Sequence, residues 1–290
     1  MSPSVRVPAS TSNLGAGFDC VGLALDIWLT ASLVKGSGPP VYTGTLAGLF
    51  PAEDLILESL GVGPKGMHLE VHSDIPIGVG LGSSAAAIVA GAALAGLVGG
   101  KLDLDAVFRH AAQAECHPDN AAPATYGGLI LAAGKPVKLK LHATVAPALA
   151  VPRKGIDTKT ARALLPADVP RETAISQASR SAALVLGLER GDSDLIGYGM
   201  EDQLAVPHRR GMIPGFDAAV QAGTRAGAFG VTISGAGSAL LAFAPTKKAA
   251  AVAKAMAGAL TAAGNPAEGI TPKVAAKGLT VGMGKGKRET

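Results

Sequence analysis

Apolar and polar residues alternate strictly along the segment MHLEVH at positions 67–72. A period of two residues predicts a strand with one buried face. An uncharged, glycine-rich stretch follows from residue 75, and the run of small residues from Ser83 predicts a helix that begins there. The order strand, glycine loop, helix is therefore the first structural unit that the chain predicts.

The second half of the chain mixes strands and helices again. Residues 229–234 and 239–244 are apolar enough for two strands, residues 172–188 have the spacing of an amphipathic helix, and a further helix is expected over 216–225. A helix is also expected to begin at Asp157 or Thr158, because either residue type can cap a helix. Strands mixed with helices in both halves predict an α+β fold.

Length and composition support a folded protein of two domains. The chain has 290 residues, of which 48% are hydrophobic and 17% charged. A chain this long buries enough surface to fold without a disulfide or a structural metal, and two cysteines set no disulfide framework. The pattern breaks near residues 140–148, which predicts an N-terminal domain over 1–145 and a C-terminal domain over 146–290.

The charge distribution argues against nucleic acid and membranes as partners. The formal net charge is +4, but residues 273–290 hold five basic groups and one acidic group, which leaves 21 of each sign in the rest of the chain. A nucleic-acid-binding protein would show a basic stripe with interleaved aromatic residues. The N-terminal residues lack the pattern of a signal peptide, and the uncharged stretch is too rich in glycine for a spanning helix, so the expected location is the cytoplasm.

The glycine loop at positions 76–86, PIGVGLGSSAA, carries the strongest chemical signal. Glycines let backbone N–H groups approach an anion, and a helix N-terminus adds about half a positive charge. A Walker A loop is excluded because no lysine follows, and Ser83 replaces the third glycine of a dinucleotide fingerprint. The alternative is a tight turn packed with small residues, but a polyphosphate site is favoured, with the binding residues Pro76, Ile77, Gly78, Val79, Gly80, Leu81, Gly82, Ser83, Ser84, Ala85 and Ala86.

Two other segments are rich in glycine and small polar residues: PASTSNLGAGFD at 8–19 and TISGAGSAL at 232–240. Taken alone, the first is as well explained by Asx turns at Asn13 and Asp19 as by a binding site. The second alone predicts a turn between two strands. Together with PIGVGLGSSAAA, however, these segments resemble the three motifs of the GHMP kinases in order and spacing.

That resemblance spans nearly the whole chain and implies the family's fold and cofactors. The implied N-terminal domain is α/β and contains a left-handed β-α-β unit that holds ATP, and the implied C-terminal domain is ferredoxin-like. ATP and Mg²⁺ are the implied cofactors. A small molecule is the implied partner, and a homodimer is left open.

Further segments favour one branch of the family. HPDNAAP at 117–123 resembles the corresponding element of homoserine kinases, as do the segments 157–166 and 207–214. The implied reaction transfers the γ-phosphoryl group of ATP to the hydroxyl of L-homoserine, in threonine biosynthesis. Two alternatives stay open: another GHMP kinase, acting on a mevalonate derivative or a sugar, and a catalytically silent member that binds a small molecule.

The resemblance also implies roles for individual residues. Ser84 would contact Mg²⁺, and Ser84, Arg162 and Arg209 would carry catalysis, with Arg210 as the alternative to its neighbour. An arginine fork suits the carboxylate of an amino acid. The base of mevalonate kinases has no clear counterpart, which favours direct attack by the hydroxyl with electrostatic assistance. The residues implied to hold homoserine are Asn13, Asp19, His117, Asp119, Arg162 and Arg209.

The chain departs from the homoserine kinase pattern at three positions. Ser238 replaces the proline that usually follows S-G-x-G in the third motif, and Asp54 stands where an asparagine often precedes Leu-Ile. The third is Gln113, where homoserine kinases usually carry a metal-binding glutamate four residues before the motif histidine. Gln113 is therefore expected beside Ser84 in a weak metal site. Helical residues two apart point about 200° from each other, so Glu115 is not expected to replace Gln113 unless the helix ends or unwinds before that residue.

Overall fold

The computed structural model describes residues 2–48, 54–61 and 63–283. The strands are β1 (Pro3–Ser12), β2 (Val21–Lys35), β3 (Val41–Gly44), β4 (Met67–Ser73), β5 (Leu129–Leu131), β6 (Val137–Leu139), β7 (Val145–Pro152), β8 (Gly230–Ile233), β9 (Leu240–Pro245), β10 (Ala267–Ile270) and β11 (Thr280–Met283). The helices are α1 (Leu55–Leu60), α2 (Ser83–Val98), α3 (Leu104–Glu115), α4 (Ala121–Tyr126), α5 (Thr158–Ala163), α6 (Arg171–Arg190), α7 (Ser193–Met200), α8 (Val206–Arg209), α9 (Phe216–Ala226) and α10 (Ala249–Ala262). One turn of 3₁₀ helix, Arg210–Met212, continues α8.

The first sheet has seven strands and is built around the long strand β2. Its order is β11-β1-β2-β4-β3, and β5 extends from β2 to pair with β6. The strand predicted at 67–72 is confirmed as β4, which runs parallel to β3 across the connection that contains α1. The helix predicted from Ser83 is confirmed as α2, and it packs on β1 and β2.

The second sheet is antiparallel, with the order β10-β7-β9-β8. Numbered from β7, this is the 4-1-3-2 order of a ferredoxin-like sheet, as the resemblance implied. The strands predicted on either side of the third glycine segment are confirmed as β8 and β9, and the helices predicted at 172–188 and 216–225 are confirmed as α6 and α9. Helices α9 and α10 cover one face of this sheet with an apolar core that includes Phe216 and Met256.

The two sheets share their larger apolar core. Leu29 of β2, Leu188 of α6 and Phe243 of β9 belong to one cluster of buried residues. Strand β7 begins the second sheet at Val145, whereas β11, near the end of the chain, returns to pair with β1. The domain ranges 1–145 and 146–290 stay a prediction, and part of the basic segment 273–290 lies outside the described residues.

Aspartates begin the helices α3 and α5. Asp103 accepts a hydrogen bond from the backbone N–H of Ala106, and Asp157 accepts one from that of Thr160 at 2.8 Å. The cap of α5 is thus Asp157, not Thr158, and backbone hydrogen bonding from Thr160 lowers the pKa of Asp157. Among the described residues, no helix has the length and apolar character needed to cross a membrane.

Candidate active site

The glycine loop reaches α2 through three residues with left-handed backbone conformations. Gly78, Gly80 and Gly82 have φ values of 70°, 84° and 67°. Gly82 occupies the N-cap position of α2, and no side chain caps the helix there. The first backbone N–H groups of a helix have no partner within the helix, so those of α2 are open to an anion.

The three glycine-rich segments hold one another through hydrogen bonds. The Ser234 hydroxyl donates to the Gly80 carbonyl at 2.6 Å and lies 2.8 Å from the Thr11 hydroxyl. Asn13 Nδ2 donates to the Gly235 carbonyl at 2.8 Å. A Cβ on Gly80 would stand 2.0 Å from the Ser234 carbonyl oxygen, so only glycine permits this approach. The third segment therefore turns the chain and also joins the other two.

Asn120 connects the segment HPDNAAP to the first glycine-rich segment. Its side-chain oxygen accepts from the Ser10 hydroxyl at 2.8 Å, and its Nδ2 donates to the Ser12 hydroxyl at 2.9 Å. All three side chains are buried. These bonds fix His117 and Asp119 beside the loop at 13–19.

Asp19 and Arg162 form a two-pronged ion pair although they lie 143 residues apart in the sequence. The guanidinium donates to the two carboxylate oxygens at 2.7 and 3.2 Å, and both side chains are about one-third exposed. Asp19 and Asn13 are both left-handed, with φ of 53° and 70°, and Asn13 Oδ1 accepts from the Asp19 N–H at 3.0 Å. The loop therefore holds the carboxylate towards α5.

His117 and Asp119 form a second, more buried pair. The distance from His117 Nδ1 to Asp119 Oδ1 is 3.0 Å, and Asp119 is 1% exposed. Burial lowers the pKa of His117, but the hydrogen bond to Asp119 and the charges of Asp119 and Glu115 outweigh burial and raise it. The pair thus favours a protonated imidazole.

Arg209 is almost fully buried, at 3% exposure. Its Nε donates to the Ala161 carbonyl at 3.0 Å, and its guanidinium lies 5.6 Å from the centre of the Phe18 ring. Burial, followed by the nearby charge of Arg162, lowers its pKa. Arg210, in contrast, is exposed and lies 3.5 Å from Asp217, away from these groups.

The structure does not bring Gln113 to Ser84. Gln113 is exposed on α3, whereas Glu115, the last residue of that helix, accepts a hydrogen bond from the Ser84 hydroxyl. Cys116 then adopts a left-handed conformation with φ of 62° and turns the chain towards His117. The expected partner of Ser84 thus changes from Gln113 to Glu115, because α3 ends there and the terminal side chain faces α2.

These groups line one cavity of about 430 Å³ between the glycine loop and the ionic residues. Val79, Ala85 and Ala86 of the predicted loop are instead buried in the core, and Pro76, Ile77 and Gln113 lie outside the cavity lining. Glu115, the alternative to Gln113, lines it, and so do Lys159 and Asn120, which the sequence did not indicate as site residues. The lining residues are Ser12, Asn13, Asp19, Gly78, Gly80, Leu81, Gly82, Ser83, Ser84, Ala114, Glu115, Cys116, His117, Asp119, Asn120, Thr158, Lys159, Arg162, Arg209, Gly235 and Ala236.

Two family models match the chain: GHMP kinases N terminal domain over residues 49–128, and GHMP kinases C terminal over residues 184–261. The chain belongs to the GHMP kinase family, and the following relatives, which it matches over most of their length, are homoserine kinases. Homoserine kinase from Moorella thermoacetica is 38% identical over 259 residues, which cover 83% of this chain and 87% of that protein. A homoserine kinase from Thermus thermophilus is 37% identical, covering 88% of this chain and 91% of that protein.

Solved structures agree with this assignment. The crystal structure of homoserine kinase from Cytophaga hutchinsonii aligns with a TM-score of 0.82 and 31% identity, covering 97% of both chains. A mevalonate kinase crystal structure aligns with a TM-score of 0.64 at 14% identity, which shows the shared fold alone.

Proposed function

We propose that the chain transfers the γ-phosphoryl group of ATP to the side-chain hydroxyl of L-homoserine, a step of threonine biosynthesis. One observation carries the proposal: a single cavity joins the glycine loop at the start of α2 to carboxylate and guanidinium groups on its opposite side. The first feature suits a polyphosphate, and the second suits a zwitterionic amino acid. The sequence identity to homoserine kinases supports the same substrate.

The acceptor side has the charges that an amino acid needs. An α-ammonium group requires an acceptor such as Asp19 or Asp119, and an α-carboxylate requires donors such as Arg162 and Arg209. The guanidinium of Arg162 and the carboxylate of Asp19 already face each other. When homoserine binds, its ammonium group would pair with Asp19 and its carboxylate with Arg162. These ion pairs would offset the cost of removing the charges of homoserine from water. His117 and Asn13 complete the proposed set.

The nucleotide phosphates are assigned to the loop from Gly78 to Ser84. The open N–H groups at the start of α2 supply donors that need no rearrangement. Lys159, exposed on α5 at the edge of the cavity, adds a positive charge that would neutralise the transferred group. Positioning and charge neutralisation are the main catalytic effects in phosphoryl transfer.

Ser84 and Glu115 fit a Mg²⁺ ion. A hydroxyl and a carboxylate in direct contact offer the hard oxygen ligands that this ion prefers, whereas the exposed Gln113 does not join them. When bound, Mg²⁺ would neutralise charge on the phosphate oxygens. Glu115 therefore takes the metal-binding role that the sequence suggested for Gln113.

The cavity favours direct attack by the homoserine hydroxyl. Its lining in the described part of the chain contains three carboxylates, and each already has a partner: Asp19 with Arg162, Asp119 with His117, and Glu115 with Ser84. No carboxylate there is left over as a dedicated general base. The proton of the hydroxyl would pass to a phosphate oxygen as charge moves to the leaving group, with Arg162 and Arg209 providing electrostatic assistance.

The cytoplasm is the proposed location, since ATP and amino acids are both present there, and a homodimer stays a prediction. Activity is tested by measuring ADP release with ATP and Mg²⁺ against homoserine, mevalonate and galactose in parallel. The proposal expects turnover with homoserine only. Turnover with mevalonate or galactose instead would make the substrate wrong, and no turnover with any would favour a silent, ligand-binding protein.

A further inference from the structure

Gln177 is a buried amide on α6 that lies outside the lining of the active-site cavity. Its exposure is 7%, although much of the surrounding helix faces solvent. A glutamine side chain has two N–H donors and one carbonyl acceptor, and burying them is costly unless they find partners. Both donors and the acceptor of Gln177 have hydrogen-bond partners, and these partners lie on two different segments of the active site.

The first partner belongs to the loop that carries Asn13 and Asp19. Gln177 Nε2 donates to the carbonyl of Ala16 at 3.2 Å. The Ala16 N–H donates to the carbonyl of Gly199 at 2.9 Å, so the middle of the loop is held on both sides. A loop with three non-glycine residues in left-handed conformations, Asn13, Leu14 and Asp19, needs such outside support, because those conformations are unfavourable on their own.

The other hydrogen-bond partners, Asp202 and Gln203, lie just before the helix that carries Arg209. Gln177 Nε2 also donates to Asp202 Oδ1 at 2.8 Å, and Gln177 Oε1 accepts from the backbone N–H of Gln203 at 2.9 Å. Asp202 is itself 6% exposed. One side chain of α6 thus fixes both a carboxylate and the backbone beside it.

Asp202 in turn fixes the start of the helix that carries Arg209. Its carboxylate accepts hydrogen bonds from the N–H groups of Leu204 at 3.1 Å and of Ala205 and Val206 at 2.6 Å. The Arg209 N–H donates to the Ala205 carbonyl at 3.0 Å, which completes the turn. The position of the Arg209 guanidinium therefore depends on the orientation of Asp202.

We propose that Gln177 is a positioning residue for homoserine binding. It holds the loop of Asn13 and Asp19 at a fixed distance from the turn of Arg209 and contacts no substrate itself. The inference rests on the proposed function, since the two segments are the ones assigned to homoserine. The glycine loop and the Ser84–Glu115 pair receive no hydrogen bond from Gln177, so the replacement of Gln177 should affect nucleotide binding much less than homoserine binding.

The test replaces Gln177 with leucine, which has an apolar branched side chain that is one atom shorter and removes all three hydrogen bonds. The KM values of homoserine and ATP, kcat and the melting temperature are measured for each protein. The loop of Asn13 and Asp19 and the turn of Arg209 would be held less firmly, and both are proposed to bind homoserine in the ground state as well as in the transition state. Homoserine KM should therefore rise by roughly tenfold, which corresponds to the loss of about one hydrogen bond to a charged group. ATP KM should stay within about twofold.

Leu188→Ala is the matched control. Leu188 lies on the same helix and is fully buried, but it packs in the apolar core and makes no contact with the two segments through hydrogen bonds. This variant should lower the melting temperature at least as much as Gln177→Leu while leaving homoserine KM near the wild-type value. If homoserine KM rose only because the protein is less stable, it would rise in both variants alike.

Gln177→Asn keeps the proposal testable if the leucine variant fails to fold. It retains the amide but is one methylene shorter, so it cannot reach Ala16 and Asp202 together, and homoserine KM should again rise selectively. Wild-type homoserine KM in a folded Gln177 variant would overturn the inference, as would an equal rise in ATP KM. Failure of the proposed function itself would be seen separately, as a wild-type protein that does not phosphorylate homoserine.

Discussion

The two sides of the cavity are built in different ways. The phosphate side is one continuous segment, Gly78 to Ser84, that offers backbone N–H groups and the start of a helix. The acceptor side is assembled from charged side chains that are far apart in the chain, such as Asp19 and Arg162. Backbone sites depend on conformation and close approach, whereas side-chain sites depend on what holds each side chain in place. Substitutions on the two sides should therefore produce different kinetic changes.

The largest effect is expected from Gly80→Ala on the phosphate side. The new Cβ would stand 2.0 Å from the Ser234 carbonyl oxygen, which forces two glycine-rich segments apart. Activity should fall by at least about 100-fold, with nucleotide affinity reduced.

Gly78→Ala is the matched control, because Gly78 has a similar left-handed φ but its nearest neighbour would be 4.0 Å away. This variant carries only the backbone cost of about 1–2 kcal/mol. Equal losses in the two variants would show that backbone conformation matters here and the close approach does not.

On the acceptor side, Arg209→Ala should lower kcat/KM for homoserine and leave ATP KM nearly unchanged. Loss of one charge-assisted contact costs about 1.5–3 kcal/mol, or roughly 10- to 150-fold. Steady-state kinetics with each substrate varied in turn measures both values. Arg210→Ala is the control, since Arg210 is exposed beside Asp217 and should behave as wild type. If Arg210→Ala shows the larger loss, the assignment of the two arginines must be reversed.

A smaller, roughly tenfold effect is expected at the proposed metal site. Glu115→Gln should raise the Mg²⁺ concentration that gives half-maximal activity, because the carboxylate in contact with Ser84 loses its charge. Gln113→Glu adds a charge on the exposed side of α3 and should leave that concentration unchanged. If Gln113→Glu lowers that concentration and Glu115→Gln leaves it unchanged, Gln113 is the residue that lies nearest the ion.

The smallest effect concerns pH and the pair of His117 and Asp119. Folding raises the pKa of His117, so the pair stabilises the protein fully below the ordinary pKa of about 6.5 and loses that contribution as pH rises through the folded-state pKa. The melting temperature of wild type should thus exceed that of His117→Gln by a few degrees more in acid than in mild base. His208→Gln, at an exposed position, is the control for the loss of a histidine. A difference that grows with pH would contradict the raised pKa.

The sequence predicted local features better than long-range ones. The start of α2 at Ser83 follows from glycines and small residues within a few positions, and the structure has the helix begin there. The sequence could not decide between Arg209 and Arg210, because burial of the first depends on the packing of α8 against Phe18 and α5.

Gln113 and Gln177 also show that long-range contacts could not be predicted from the sequence. An ideal helical register placed Glu115 away from Ser84, but α3 ends at Glu115 and its side chain reaches α2. Gln177 has no sequence signal at all, since its partners Ala16 and Asp202 meet it only in the folded chain. Tertiary contacts decide both cases.

The fate of the phosphoryl group tests the central claim most directly. Phosphorus NMR of the protein with ATP, Mg²⁺ and homoserine follows where the γ-phosphorus goes, which release of ADP alone does not show. We expect a new phosphomonoester signal that requires homoserine and that forms much more slowly with Arg209→Ala. Formation of inorganic phosphate only, or of a phosphoester with mevalonate or galactose but not with homoserine, would contradict it.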